Sequence, residues 1–111
     1  MMQISVRHLD KITIFDVSGE IDFATSPELR KALLQELKER RMPRVVVNLQ
    51  AVRYIDSSGV ASLVEGLKAS RDAGSRFVLC ALNTKVGEVL RLSKLRTFFE
   101  VCDSEEQALA P

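Results

Sequence analysis

The stretch Val45-Val46-Val47-Asn48-Leu49, followed by Tyr54-Ile55-Asp56-Ser57-Ser58-Gly59, decides the fold. Its first part is short, β-branched and not alternating, which suits a parallel strand buried on both faces. After the second part, Val60, Leu63, Val64 and Leu67 repeat at i, i+3, i+4 and i+7, the period of an amphipathic helix, and Gly74 supplies a C-terminal stop. A buried strand, a polar turn and a helix in succession predict one unit of an α/β sheet. Either Asp56 or Ser57 suits the N-cap, and the small residues after it let another group approach the helix end closely.

Upstream, Ile4, Val6, Ile12 and Ile14 alternate with polar residues around an Asp10-Lys11 turn, which predicts a strand pair. Phe15 and Val17 place apolar residues on the opposite face of the second strand, and Gly19 is expected to end it. Thr25 or Ser26 then caps a helix, with Pro27 in its first turn and Glu28 three residues after Thr25. Leu29, Ala32, Leu33 and Leu37 form its apolar stripe, and Pro43 closes the segment by disfavouring helical geometry at Met42. Downstream, Phe77 to Leu82 reads as another buried strand, and Asn83 as the cap of a helix with Val86, Val89 and Leu90 on its apolar face. Thr97 to Val101 reads as a final short strand, and Ser104 with Gln107 as the capping box of a last helix carrying Ala108 and Leu109. The order ββαβαβαβα predicts an α/β fold: a mixed, mostly parallel sheet that opens with an antiparallel pair, with helices packed against it.

The 111 residues make a single domain over 1–111, and no repeat or long linker divides it. With 16 Lys+Arg against 15 Asp+Glu, the net charge of +1 lacks the basic excess of a domain that grips nucleic acid. Lys38, Arg40, Arg41 and Arg44 suit a solvated helix end. The longest apolar run, Phe77 to Leu82, is far shorter than the roughly 18 residues of a membrane span, and Arg7, Asp10 and Lys11 stand where a signal peptide would be apolar. No membrane insertion is expected, and the chain is expected in the cytoplasm.

Enzymatic readings fail on inventory. The single histidine, His8, lies in the N-terminal strand pair, no Gly-x-Ser-x-Gly elbow exists, and neither phosphate-cradling glycine motif occurs. The two cysteines, Cys80 and Cys102, are too widely spaced for a CxxC element and read as small side chains on apolar strands. The acids Glu20/Asp22 and Glu105/Glu106 read as solvated surface. No metal, cofactor or catalytic residue is expected.

Sites in open α/β sheets gather at the carboxyl ends of strands, here in the loops Gly19 to Ser26, Tyr54 to Gly59 and Leu82 to Thr84. Ser57, at a helix start and near unpaired backbone N–H groups, is placed to accept a phosphoryl group. Helix-start punctuation alone also accounts for Asp-Ser-Ser-Gly.

Gly19-Glu20-Ile21-Asp22, Val45 to Leu49, Tyr54 to Gly59 and Asn83, in this order and spacing, resemble the STAS domain, and more narrowly the bacterial anti-sigma factor antagonists. The resemblance spans essentially the whole chain. It implies that an anti-sigma factor serine kinase, itself of the histidine-kinase-like ATPase fold, phosphorylates Ser57, with Ser58 as the lesser acceptor. The unmodified form would bind that kinase and free a sigma factor, the phosphorylated form would release the kinase, and a serine phosphatase would reset the switch. Asp22, Asp56, Ser57, Ser58, Gly59, Val60 and Ala61 would face the partner, although a strand-end acid accounts equally for Asp22. Where relatives often continue Gly-Leu-Gly, this chain has Gly59-Val60-Ala61, one methyl more at the implied contact surface. A STAS scaffold subunit of a lipid-transport ATPase complex, without phosphorylation, is the alternative the resemblance leaves open, and a small-ligand or nucleotide-sensing module is a third with only the general loop argument behind it.

Overall fold

The computed structural model describes residues 1–111. A five-stranded sheet carries its strands in chain order: β1 (Met2–Leu9), β2 (Ile12–Ile21), β3 (Arg44–Ile55), β4 (Arg76–Cys80) and β5 (Glu100–Cys102). The helices are α1 (Ser26–Leu34), α2 (Ser57–Ala73), α3 (Thr84–Leu92) and α4 (Glu105–Leu109), so the expected order ββαβαβαβα holds. Only β1 and β2 run antiparallel, through the Asp10-Lys11 turn; every later pair is parallel. None of the helices is long and apolar enough to cross a membrane.

Four boundaries differ from the sequence reading, each for a local reason. Gly19 does not end β2: it sits at φ +86° beside a skip in register between Gly19 and Glu20, and the strand resumes to pair Ile21 with Ile55. It is a bulge that only glycine fits, because a Cβ there would lie 1.9 Å from the Met1 carbonyl oxygen. That continued pairing also carries β3 through Tyr54 and Ile55, which were expected in a loop. β4 stops at Cys80 and not at Leu82, because Ala81 turns to φ +56°. Arg96–Phe98 forms a 3-10 turn, so the last strand is Glu100–Cys102. The first helix also tightens its reading: Leu29, Leu33 and Leu37 are buried as a stripe, but Gln35–Glu39 winds as a π turn.

Consecutive parallel strands joined by right-handed crossovers stack α1, α2 and α3 on one face of the sheet. There Phe15, Val17, Val45, Val47, Leu49, Phe77 and Leu79 pack against Leu29, Leu33, Leu63, Val86 and Leu90. The opposite face presents a smaller apolar strip, Ile14, Val46, Val78 and Cys80, closed by Ala108 of α4. A five-residue helix cannot hold itself. Ser104 caps it by accepting from the Gln107 N–H at 3.2 Å, Arg7 and Asn48 donate to Glu105 at 2.6 and 3.2 Å, and Arg44 donates to the carbonyls of Ala108 and Ala110. Gln107 reaches back to the Asp103 N–H, completing the box one residue earlier than the usual pattern.

The one buried carboxylate, Glu36 in the π turn, is fully partnered: Thr13 donates to it at 2.7 Å, His8 Nε2 lies 2.8 Å away and Arg40 pairs with its other oxygen at 3.2 Å. His8 is thus committed at the amino end of β2, the end remote from the strand-to-helix loops.

Two substitutions test this packing. Leu33→Ala, at a fully buried side chain, lowers unfolding stability by about 2–5 kcal/mol. Gly59→Ala places a Cβ within 2.8 Å of the Ile21 carbonyl and 2.6 Å of Ile55, and the overpacking costs about 1–3 kcal/mol. Urea unfolding followed by circular dichroism measures both, with unchanged slope and lowered midpoint expected.

Candidate functional site

Parallel strands align their carboxyl ends, so the loops leaving β2 and β3 emerge side by side. The Asp56 N–H donates to the Ile21 carbonyl at 3.2 Å, joining the two loops directly. Asp56 adopts an extended backbone (φ −110°, ψ −172°), and its carboxylate accepts the Ser58 and Gly59 N–H groups at 2.9 and 3.1 Å. Of the two caps the sequence permits, Asp56 is the one used, and Ser57 becomes the first residue of α2. Asp56 satisfies two of the helix end's free donors and partly neutralises its positive end.

Along α2 the exposure alternates in a way that separates structure from surface. Ser57 and Ala61 are exposed, Ser58 is half-buried, and Gly59 and Val60 are buried against the sheet. Ser62 is buried as well, and its hydroxyl lies 3.0 Å from the Ser26 carbonyl at the start of α1 and 3.3 Å from the Ser58 carbonyl. The α1 and α2 amino ends are thereby locked to each other. Of the expected partner-facing residues, Ser57 and Ala61 are presented outward, whereas Gly59 and Val60 shape the surface from beneath.

Asp22 turns out to organise its own loop. Its carboxylate accepts from the Ala24 and Thr25 N–H groups, both at 3.0 Å, and lies 3.1 Å from the Thr25 hydroxyl. The Thr25 backbone N–H first, and then its hydroxyl, hold the Asp22 carboxyl below the ordinary carboxylate range. A lowered folded value means that the carboxylate stabilises the fold above its unfolded pKa, and that this contribution is lost as pH falls through the folded value. Thr25 occupies the N-cap position of α1 without bonding to the helix; its hydroxyl donates to the Glu20 carbonyl and accepts from the Asp22 N–H. One result of this tight turn is that Phe23 stands out, 81% exposed.

Two surface residues near the loops escaped the sequence reading as site candidates: Phe23, and Tyr54, which is 52% exposed at the end of β3. The available signal was an apolar residue inside a polar turn for the first, and the register with Glu20 for the second. The third loop has a structural task. Asn83 caps α3 by accepting from the Val86 N–H at 3.0 Å, while its amide donates to the Gln50 and Val52 carbonyls of β3.

From Ser57 an open groove of about 490 Å³ runs between α2 and the end of α3, floored by Val60, Val64, Val89 and Leu95 and edged by Glu65 and Lys68. The exposed serine therefore opens onto a mainly apolar channel, and Glu20 and Arg53 form an ion pair at 2.6 Å on the β2 side.

This fold matches known proteins along nearly the full chain. The family model described as STAS domain matches residues 3–108. The chain is 28% identical over 108 residues to an anti-sigma F factor antagonist of Paenibacillus polymyxa, covering 97% of this chain and 92% of that one. It is 32% identical over 105 residues to an anti-sigma-B factor antagonist of Listeria monocytogenes, covering 94% and 90%. The crystal structure of an anti-sigma factor antagonist from Mycobacterium paratuberculosis superposes with a TM-score of 0.87 at 25% identity, over 98% of this chain and 92% of that one. SpoIIAA, at 16% identity, shares the fold in its unphosphorylated form (TM-score 0.77, 96% and 94% covered) and in its phosphorylated form (0.74, 95% and 96%). With a matched family model over 3–108 and a relative 32% identical across nearly its whole length, the chain belongs to the STAS domain family, among its anti-sigma factor antagonists.

Proposed function

We propose that this protein is a phosphorylation-controlled antagonist: unmodified, it binds an anti-sigma factor that is a serine kinase and so releases a sigma factor, and phosphate on Ser57 ends that binding. The observation that carries the reading is the placement of Ser57, exposed as the first residue of α2 directly after the capping Asp56. Ser58 is the poorer acceptor, since it is half-buried beneath the turn. The names of the Paenibacillus and Listeria relatives support the antagonist role, and the existence of SpoIIAA in a phosphorylated form with the same fold supports a switch that leaves the domain intact.

The physics of such a switch is electrostatic. A phosphoserine adds about −1.5 to −2 charges at pH 7, enough to carry the net charge from +1 to about −1. Enclosing that charge against a partner without a cation to meet it costs several kcal/mol, and each ~1.4 kcal/mol is a tenfold loss of affinity. The surface that feels it is Ser57, Ala61 and the groove beside them; Asp22 and Asp56 shape their own loops at that end of the sheet, and Ser58, Gly59 and Val60 support it. A serine phosphatase reverses the step. The protein itself acts as substrate and ligand, with no catalytic residue and no cofactor of its own.

The test pairs two variants against the cognate kinase. Ser57→Ala keeps binding within about threefold, and Ser57→Asp weakens it by at least tenfold, as read by isothermal titration with kinase and nucleotide. Incubation of the natural chain with kinase and ATP adds a single phosphate, which intact-mass measurement detects and which Ser57→Ala abolishes. Equal affinity of the two variants, or unchanged phosphate uptake by Ser57→Ala, removes the switch.

A further inference from the structure

The two cysteines, 22 positions apart in sequence, become direct neighbours in the sheet: Cys80, the last residue of β4, pairs in register with Cys102, the last residue of β5. Both side chains lie on the face covered by α4, where Cys102 packs against the cluster that contains Cys80. Neighbouring strands lie about 4.8 Å apart, inside the window of about 4.4–6.8 Å between Cα atoms that a disulfide spans. Both thiols are free. We propose that Cys80 and Cys102 are an oxidation site, a cross-strand dithiol that a peroxide converts to a reversible disulfide.

The two thiols differ in the way such a reaction requires. Cys102 is half-buried and reachable from the surface, whereas Cys80 is fully buried. Burial first, and the Glu105 carboxylate second, push the Cys80 thiol up to about 11, so it does not lead the attack. The Cys102 thiolate attacks one peroxide oxygen, the O–O bond breaks, and the departing hydroxide takes a proton to leave as water. Cys102 is then a sulfenic acid. The Cys80 sulfur, giving up its proton, attacks the Cys102 sulfur; the S–O bond breaks and hydroxide departs with that proton as a second water. Two electrons pass from the thiol pair to one peroxide, and a small dithiol restores the reduced state. β5 has only three residues and ends at Cys102, so this edge of the sheet can adjust to bring the two Cβ atoms into bonding range.

The bond would close a loop over residues 81–101, the segment that holds α3 together with Ser93 and Leu95. It would also anchor the start of α4, because Asp103 and Ser104 follow Cys102 directly. Oxidation would thus stiffen the β5–α4 edge and one wall of the groove, independently of whether Ser57 carries phosphate.

The full chain, reduced and then treated with hydrogen peroxide, is alkylated, digested without reductant and mapped by mass spectrometry. The expected product is a monomer with both thiols lost, an intact mass lower by two hydrogens, a peptide pair linking Cys80 to Cys102, and full recovery with dithiothreitol. Its Tm rises by about 5 °C or more, because a loop of this length constrains the unfolded chain. Cys80→Ser leaves Cys102 to accumulate as sulfenic acid, trapped by dimedone, and Cys102→Ser leaves Cys80 unmodified in the folded state. The proposal is overturned if Cys102 oxidises while Cys80 stays free in the natural chain, if the only disulfide joins two chains, or if the link forms only in denaturant.

Discussion

The hydrogen bond from the Asp56 N–H to the Ile21 carbonyl is the joint that holds the loops at the carboxyl ends of β2 and β3 together. It closes the register between β2 and β3 at their last pair, Ile21 with Ile55, and fixes where α2 must begin. Gly59 makes the joint possible. A side chain there would collide with Ile21 and Ile55, so α2 could not descend to the sheet one turn after its cap. Because Asp56 both ends the strand pairing and caps the helix, the polypeptide needs only one residue between β3 and α2. A loop so short leaves Ser57 little freedom in direction, and the proposed switch would rely on that rigidity to present a single side chain at a defined place on the surface.

The rest of the molecule is built unevenly about the sheet. Sequential parallel strands send α1, α2 and α3 to one face, where most of the core lies, and leave the other to a helix of five residues. That helix is secured from outside its own length, by Arg7, Arg44 and Asn48, through contacts with Glu105 and with its terminal carbonyls. Charged groups at half-exposed positions contribute little apiece. Here several converge on one element whose own helical propensity cannot hold it, so their value lies in position more than in number.

Most of this architecture was legible because buried parallel strands and amphipathic helices write different periods into the chain. Val45-Val46-Val47 and the Leu29/Leu33/Leu37 stripe could hardly be read otherwise, and Asn83 and Ser104 announced their helices by capping chemistry. The boundaries failed where tertiary pairing overrode local signals. Gly19 looks like a terminator, yet it is a bulge, because the decisive contact is with Met1, 18 residues away in sequence. Tyr54 and Ile55 look like loop residues, yet β2 extends to pair with them. The motif put Asp56 and Ser57 at a strand-to-helix turn, where the structure has them, but it could not say that the Asp22 carboxylate is consumed by Thr25 and Ala24, nor that Phe23 is thereby turned outward. Those facts depend on how a turn closes, which pattern alone does not encode.

Asp56 also bears on how the proposed phosphate would act. A helix amino terminus ordinarily offers its free N–H groups to an anion, but here the Asp56 carboxylate already holds those of Ser58 and Gly59. A phosphoryl group on Ser57 would meet a helix end with two of its donors already taken by Asp56 and whose nearest charge is negative. It would gain little by folding back onto α2 and would be driven outward, over the groove lined by Val60, Val64 and Val89. Intramolecular capture of the phosphate would bury the signal. By holding two of the capturing donors in advance, Asp56 would favour keeping the added charge on the surface, so the proposed switch would need no rearrangement of the backbone.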